Sequence, residues 1–553
     1  MSINIAELNE AIAAIIPDRE AIVFRDRRFS YAELNERSRR LANFLLSHGV
    51  TLHKERAELE NWESGQDHVA LYMYNGNEYP ECLLGTLKSR SVPVNINYRY
   101  VEEELLHVMK DADVKVIIYH GCFADKVAAI SNQLNNLSLL IQVEDGSNVP
   151  LLPGAIEYER ALASASSSKP TVTLSPDDLY MIYTGGTTGM PKGVLWRQGD
   201  FLVSMLGMKD KNDVPISDMD LILAQVTRSR GSSALSAPPY MHGTGQLISF
   251  VAWHNGNTVV IQDNVKHLDA AELLRVAERE QVRTLAVVGD AFALPIMKEM
   301  YAHEYDLSSL RLIVSSGAIF SRPVKDKILA KYPQITIVDA LGSSETGPQG
   351  HNLSKGTDKE IDTKFKLTDG GVALNAEKTA LAKPDDTDNG WFAVRGRIPL
   401  GYLNAPEKTQ ETFPVIDGER YSVPGDRVKI HECGNIEFLG RDSMTINSGG
   451  EKIFAEEVEQ ALKHHADVVD VIVSSRPSER FGNEVVAIVQ TTRGNTDLTD
   501  ELKSCASEHI ARYKLPKAFV FVEEVMRGEN GKADYRWAKS IAEQTVEGAG
   551  NGT

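Results

Sequence analysis

Cysteine is scarce. The chain has four in 553 residues (Cys82, Cys122, Cys433 and Cys505), none at the close spacing of a metal-ligand pair. That excludes a disulfide scaffold and a cysteine zinc site, and leaves free thiols in a reducing cytoplasm as the expectation. No apolar run reaches the ~20 residues of a membrane span. Met1-Ser2-Ile3-Asn4-Ile5-Ala6-Glu7 lacks the basic and apolar regions of a secretion signal. No integral membrane segment and no leader are therefore expected. Internal repeats are missing, as are the Walker A order and Gly-x-Gly-x-x-Gly. Cations are the minority charge, 59 Lys and Arg against 77 Asp and Glu, for a formal charge of −18. Such a surface repels phosphate backbones and anionic lipid, which argues against nucleic acid or a membrane surface as partner.

What remains is an ordinary soluble composition, 42% hydrophobic and 25% charged. At 553 residues the chain is too long for one core, so at least two domains are expected. The first 120 residues alternate helix and strand signals. Ser30 and Glu33 form a capping box ahead of Leu34, Leu41 and Leu45, and Gly49 closes that helix. Val69 to Met73, Val92 to Val94 and Val114 to Tyr119 read as strands, with helices at Glu78 to Ser89 and around Leu105. Thr51 to Asp67 has no sustained apolar period, and within it Lys54 to Glu58 and Glu60 to Gln66 read as an exposed insertion. Strand–helix–strand alternation argues for parallel sheet covered by helices. A polar link, Ser164 to Pro170, separates two subdomains. Strands then recur at Val259 to Ile261, Thr284 to Val288, Leu312 to Ser315 and Ile335 to Val338, with a helix at Leu273 to Gln281. Ser354 to Asp388 reads mostly as surface hairpins. Past Gly440 a compact unit follows, with helices around Val458 and Leu502 and strands at Val468 to Val473, Glu484 to Gln490 and Ala518 to Val522. The expectation is an α/β N-terminal domain over residues 1–440, a small α+β domain over 441–553, and a disordered tail from 541 to 553.

Between the link and the later strands lies Tyr183-Thr184-Gly185-Gly186-Thr187-Thr188-Gly189-Met190-Pro191-Lys192-Gly193. Leu179, Met181 and Tyr183 alternate ahead of it as a short strand. Glycines let a backbone turn successive N–H groups toward a ligand, which makes an anion-binding concavity. Three threonine hydroxyls and the Lys192 ammonium add donors and charge. The guest this predicts is a polyphosphate.

Further motifs follow in order. Ala237-Pro238-Pro239-Tyr240-Met241-His242-Gly243-Thr244-Gly245 offers an imidazole donor at His242. Ser315-Ser316-Gly317-Ala318 is a strand end with small residues that leave room for a flat base. Asp339-Ala340-Leu341-Gly342-Ser343-Ser344-Glu345-Thr346-Gly347 carries a hard-oxygen ligand suited to Mg²⁺ at Glu345. Asp426, in Tyr421-Ser422-Val423-Pro424-Gly425-Asp426, can accept from both hydroxyls of a ribose. Arg441 follows in Gly440-Arg441-Asp442. Gly449-Gly450 and then Arg527-Gly528-Glu529-Asn530-Gly531-Lys532 complete the series. Taken singly, Glu345 would read as a solvated carboxylate, Asp426 as a turn residue, His242 as a core histidine and Lys532 as a surface lysine.

Ordered together, and over nearly the whole chain, these motifs resemble the adenylate-forming superfamily of acyl-CoA synthetases, firefly-type luciferases and peptide-synthetase adenylation domains. The resemblance implies an acetyl-CoA synthetase/luciferase-like fold and an acid–thiol ligase that uses ATP, Mg²⁺ and coenzyme A. It places the phosphate tail on Thr184, Gly185, Gly186, Thr187, Thr188, Gly189 and Lys192. It places adenine against Ser316, Gly317, Ala318 and Leu341, counts Asp339, Gly342, Ser343 and Ser344 among the nucleotide contacts, puts ribose on Asp426, and makes Arg441 a second ribose or phosphate contact. Glu345 and Thr184 would hold Mg²⁺, Lys532 would reach the reacting phosphate, and Gly449 and Gly450 would line the thiol arm's path. His242, Val288, Gly289 and Asp290 would contact the acid. Two positions depart from the family. Leu341 stands where tyrosine stacks on adenine, and Ser443 stands where the hinge carries Asp or Lys. The stretches Gly193 to Gln198 and Asn447 to Ile453 resemble bacterial long-chain and steroid side-chain acyl-CoA ligases, which implies a hydrophobic carboxylic acid. The alternatives are loading of a carrier protein in trans and a nucleotide-binding regulator without turnover. A homodimer is a family habit.

Overall fold

The computed structural model describes residues 3–184, 190–210, 214–318, 320–356, 365–368, 370–383, 390–431, 435–448, 451–478, 482–510, 512–528 and 531–547. Gly185, Gly186, Thr187, Thr188, Gly189, Gly449 and Gly450 lie outside these residues, as do the side chains of Arg441 and Ser443. The chain builds two helix-covered sheets, a short hairpin sheet between them, an antiparallel sheet beyond, and a small C-terminal unit.

The first sheet is all parallel: strands Val92–Asn95, His68–Tyr72, Val116–His120, Leu139–Val143 and Ile156–Glu157, in that spatial order. His68–Tyr72 and Val116–His120 are buried at every position, as strands covered on both faces must be. The second sheet has nine strands. Its parallel centre runs Glu20–Phe24, Thr258–Ile261, Ser233–Ser236, Thr284–Val287, Leu312–Ser316 and Thr336–Ser343. The boundary drawn at Ser164 to Pro170 is therefore not clean. Glu20–Phe24 precedes the whole first sheet yet pairs with Thr258–Ile261, a contact across more than 230 residues that no local pattern announces.

The capping box forms as expected: Ser30 Oγ accepts from Glu33 N, and the Glu33 carboxylate accepts from Ser30 N at the start of the helix Tyr31–Ser47. Gly49 ends that helix at φ +69°. In the region from Ser354 to Asp388, the strand Gly347–Lys355 folds back antiparallel on Thr336–Ser343, and Gly371–Leu374 pairs with Gly390–Arg395.

At the C-terminus the chain leaves the antiparallel sheet after Ile436–Arg441 and forms a single turn at Asp442–Met444. The ribbon Thr445–Ser448 with Glu451–Phe454 then leads into the helix Ala455–Leu462. Val468–Ser478, Gly482–Thr491 and Ala518–Val522 make a three-stranded sheet. The disorder expected from residue 541 is corrected. Tyr535–Glu547 is a helix, and Ala538 and Ala542 are wholly buried against Ile472, Val486 and Ile488. The i, i+4 pair of small residues lets the helix approach the sheet closely enough to bury that face. Residues 548–553 lie outside the described ones.

One buried side chain sets the register between these parts. Asn95, 5% exposed at the end of its strand, donates from Nδ2 to Tyr183 O (3.1 Å) and Met241 O (2.7 Å), and its Oδ1 accepts from Tyr183 N (2.9 Å). It thus joins the first sheet, the strand before the glycine loop and the turn before His242. Asn95→Ala strands one donor and two acceptors in the interior. At about 1–3 kcal/mol for each buried group left unpaired, partly relieved by relaxation, we expect a loss of roughly 2–4 kcal/mol. Urea unfolding measures it, and an unchanged midpoint would contradict the assignment.

Candidate active site

The strands Leu179–Thr184 and Lys192–Arg197 pair antiparallel, with Thr184 opposite Lys192 at the mouth of the glycine loop. The hydroxyl and the ammonium predicted to hold phosphate are thus cross-strand neighbours. Gly401–Tyr402 adds a third strand against Val194 and Leu195. This narrow sheet also grips the turn that bears Glu345. Trp196 Nε1 donates to Ser344 O (2.9 Å), and the Tyr402 hydroxyl donates to Glu345 Oε1 (3.0 Å). From the antiparallel sheet, Ser422 Oγ donates to Glu345 O (2.6 Å). Within the turn, Thr346 Oγ1 accepts from Ser343 N (3.0 Å). The carboxylate is therefore oriented by the same sheet whose first two strands flank the glycine-rich stretch.

His242 stands at the N-terminus of the helix Gly243–His254. Asn75 Oδ1 accepts from Tyr240 N (2.8 Å), so two asparagines hold this turn. Gly245 is required here. A Cβ would lie 2.6 Å from Pro239 O, and backbone cannot move aside. The imidazole Nε2 is enclosed and meets no hydrogen-bond partner among the described residues. Burial, with the nearby Lys532 and Arg99 cations adding to it, pushes the ring down to about 3. Lys532, from the far end of the chain, thus lies within electrostatic reach of His242. Arg99 is a third member of this group that sequence reasoning missed, because nothing in Asn97-Tyr98-Arg99-Tyr100 sets it apart from a surface arginine.

Lys532 also lines a cavity of about 260 Å³. Its larger wall includes Gly317, Ala318, Asp339, Leu341, Gly342 and Asp426. Gly317 sits at φ +88° at the end of Leu312–Ser316. Asp426 pairs in register with Arg441 across the strands Asp426–Ile430 and Ile436–Arg441, so the two residues expected at the ribose are backbone neighbours. Asp339 is buried and ion-paired with Lys325 at 2.7 Å, and burial raises its carboxyl despite that cation. Leu341, Phe365 and Phe438 pack against one core of Ala373, Phe392, Val428 and Ile436, and all three line the cavity. Phe438 was legible in principle, since it alternates with Ile436 on the strand that delivers Arg441. The opposite wall comes from the C-terminal unit, through Glu456, Lys463, Arg527, Lys532 and Tyr535.

Asp290, expected at the acid, lines this same cavity, and both of its oxygens are hydrogen-bonded. Oδ1 accepts from Ser321 N (2.9 Å) and Oδ2 accepts from Lys463 Nζ (3.1 Å). Its position at the first turn of Gly289–Ala302 aims it at the C-terminal unit. Gly289 N donates to Ser315 Oγ (3.0 Å), and Val288 packs beside Gly317. Both therefore belong to the wall behind the base-sized turn.

A family model described as AMP-binding enzyme matches residues 10–377, and one described as AMP-binding enzyme C-terminal domain matches residues 457–532. The chain is 47% identical over 540 residues to the medium-chain acyl-CoA ligase Mig of Mycobacterium avium, covering 98% of each chain. It is 36% identical over 552 residues to a medium/long-chain-fatty-acid–CoA/3-oxocholest-4-en-26-oate–CoA ligase of Mycolicibacterium smegmatis, covering 98% of this chain and 97% of that one. Among solved structures, the anthranilate CoA ligase AuaEII in complex with anthranoyl-AMP superposes with a TM-score of 0.82 at 19% identity, over 99% and 98% of the two chains. ATP-bound MatB of Rhodopseudomonas palustris gives 0.80 at 21%, over 98% and 100%. These likenesses show the fold: a large N-terminal part with mixed sheets and a small C-terminal part.

A folded-state value near 3 keeps His242 neutral between about pH 5 and 8, and the fold loses stability as pH drops below the ring's ordinary 6.5. His242→Gln is therefore expected to change the level of activity but not the shape of its pH profile in that range. Loss of a break near 6.5 in the variant would show that the ring titrates after all.

Proposed function

The chain belongs to the AMP-binding enzymes, and on that premise we propose that it is an ATP-dependent acyl-CoA ligase, which activates a hydrophobic carboxylic acid as acyl-AMP with release of pyrophosphate and then passes the acyl group to coenzyme A. The acid is a medium- or long-chain fatty acid or a steroid side-chain acid, a reading supported by the relatives' names and their full-length match. The observation that carries the reading is the cavity walled by Gly317, Leu341 and Asp426 on one side and Lys532 on the other.

A carboxylate resists nucleophiles because it is already charged and has no good leaving group. Attack of its oxygen on the α-phosphorus of ATP removes both obstacles, and catalysis of such a transfer is mostly positioning and charge neutralisation. The glycine loop with Thr184 and Lys192 holds the phosphate tail. Lys532 lays a point charge at the reacting phosphate, and neutral His242 donates to the acid without adding a competing cation. Mg²⁺ is bound by one or two carboxylates together with phosphate oxygens. Glu345, held by Tyr402, and the Thr184 hydroxyl suit that sparse donor set, and among the described residues no group of three or more potential metal ligands occurs. When bound, the ion neutralises phosphate charge.

Residues 441–553 form the mobile part. They turn about Ser443 to withdraw Lys532 and bring Gly449 and Gly450 to the adenylate, where the pantetheine thiol enters. Cys82, Cys122 and Cys505 are unpaired, in keeping with a reducing cytoplasm, and no described helix is long and apolar enough to cross a membrane.

Pyrophosphate release with ATP, Mg²⁺ and a panel of fatty and steroid acids tests the function. Release that depends on the acid is expected, and none with any acid would overturn the reading. Lys532→Ala is expected to lower adenylation by about 10²–10³ or more while ATP binding stays nearly intact. Normal adenylation would remove Lys532 from the role. Glu345→Ala is expected to lose Mg²⁺-dependent turnover, and an unchanged magnesium titration would place the metal elsewhere.

A further inference from the structure

Between the two parts of the molecule runs a row of four charges, Asp290 and Lys463 buried and Asp470 and Arg527 half-buried, to which the chemistry above assigns no step. Asp290 lies at the first turn of a helix of the large part. Its Oδ2 accepts from Lys463 Nζ at 3.1 Å, and Lys463 follows the helix Ala455–Leu462 of the small part. Lys463 Nζ also lies 3.3 Å from Asp470 Oδ1, and Asp470 takes Arg527 through Nε and through Nη2 at 2.8 Å. Arg527 is the base of the turn that presents Lys532. Gly528 N donates to Lys532 O (2.8 Å), Arg527 bridges to Ala533, and the Arg527 guanidinium reaches Gly531 O at 3.4 Å. At its tip this turn touches the large part again, for a Cβ on Gly531 would lie 2.8 Å from the Ala291 methyl.

The side chains of the row are 7–18% exposed. Two carboxylates face two cations in alternation. Glu459, beside them, is pushed up to about 7, chiefly by burial, and accepts from Val473 N and the Tyr535 hydroxyl. The cluster is thus close to neutral. Buried charges are tolerated only when paired, and removing one partner of such a pair is far more disruptive than the pair is stabilising. Asp290 to Lys463 is the one link in the row that crosses between the parts. When the small part turns away, water replaces that partner, so the link operates only in the arrangement that sets Lys532 within electrostatic reach of His242.

We propose that Asp290 and Lys463 are positioning residues for the first half-reaction, fixing the Lys532 turn through Asp470 and Arg527 and playing no part in thioester formation. This rests on the reading of the chain as an acyl-CoA ligase whose small part turns between half-reactions. Asp290 Oδ1 also caps the helix Arg322–Lys331 through Ser321 N, and Asp290→Asn keeps that acceptor while removing the charge.

The test uses the full chain and separates the half-reactions. Acid-dependent pyrophosphate release is measured in a single turnover without coenzyme A. Thioester formation is measured from supplied dodecanoyl-AMP and coenzyme A. Lys463→Gln and Asp290→Asn are each expected to slow the first by about 10–100-fold and to leave the second within about twofold of the unsubstituted protein. The double variant is expected to be no slower than the worse single one, because both remove the same link. Equal losses in both half-reactions would show a merely structural role. Unaffected pyrophosphate release would show that the pair positions nothing. Failure of the unsubstituted protein to release pyrophosphate with any acid would overturn the ligase reading itself, an outcome distinct from either.

Discussion

The pairing of Leu179–Thr184 with Lys192–Arg197 is the constraint on which the site depends. A glycine-rich loop has no stiffness of its own. Its N–H groups can face an anion only if both ends are clamped, and antiparallel pairing from Leu179 opposite Arg197 to Thr184 opposite Lys192 is the clamp. The same short sheet then reaches outward. Trp196 and, through the third strand, Tyr402 fix the turn that carries Glu345. Asn95 fixes the hairpin to the first sheet and to the turn before His242. Four stretches distant in sequence are thus referenced to one rigid body, which is what catalysis by positioning needs.

Electrostatics add a second layer. The chain is acidic overall, yet Arg99 and Lys532, from distant places in the sequence, both act on His242. His242 is kept neutral by burial and these cationic neighbours, so it can donate a hydrogen bond without contributing charge. Lys532 arrives from the small part, so its charge reaches the cavity through the packing of that part against the large one.

The motifs were legible in the sequence because each is short and local. Strand alternation before Thr184, the glycine run and the order of Glu345, Asp426 and Lys532 could all be read without knowing the fold. What could not be read is what holds them. Asn95 sits in Val94-Asn95-Ile96-Asn97, and nothing there tells a structural asparagine from a loop one. Glu20–Phe24 finds its partner across more than 230 residues, and no periodicity encodes that. Asp290 was read as facing the acid because the family carries substrate contacts at that strand end, and nothing local announces that its carboxylate also pairs with a lysine in the other part of the molecule. The final helix was hidden by the glycine-rich stretch after it, although Ala538 and Ala542, with Trp537 and Ile541 beside them, recur at helical spacing.

The most direct measurement of the central claim is a crystal structure with ATP bound. The account predicts the triphosphate along residues 184–192, the base between Gly317 and Leu341, and the ribose at Asp426. A nucleotide bound instead in the other cavity, of about 420 Å³ between His254 and Arg283, with residues 184–192 touching no phosphate, would contradict it.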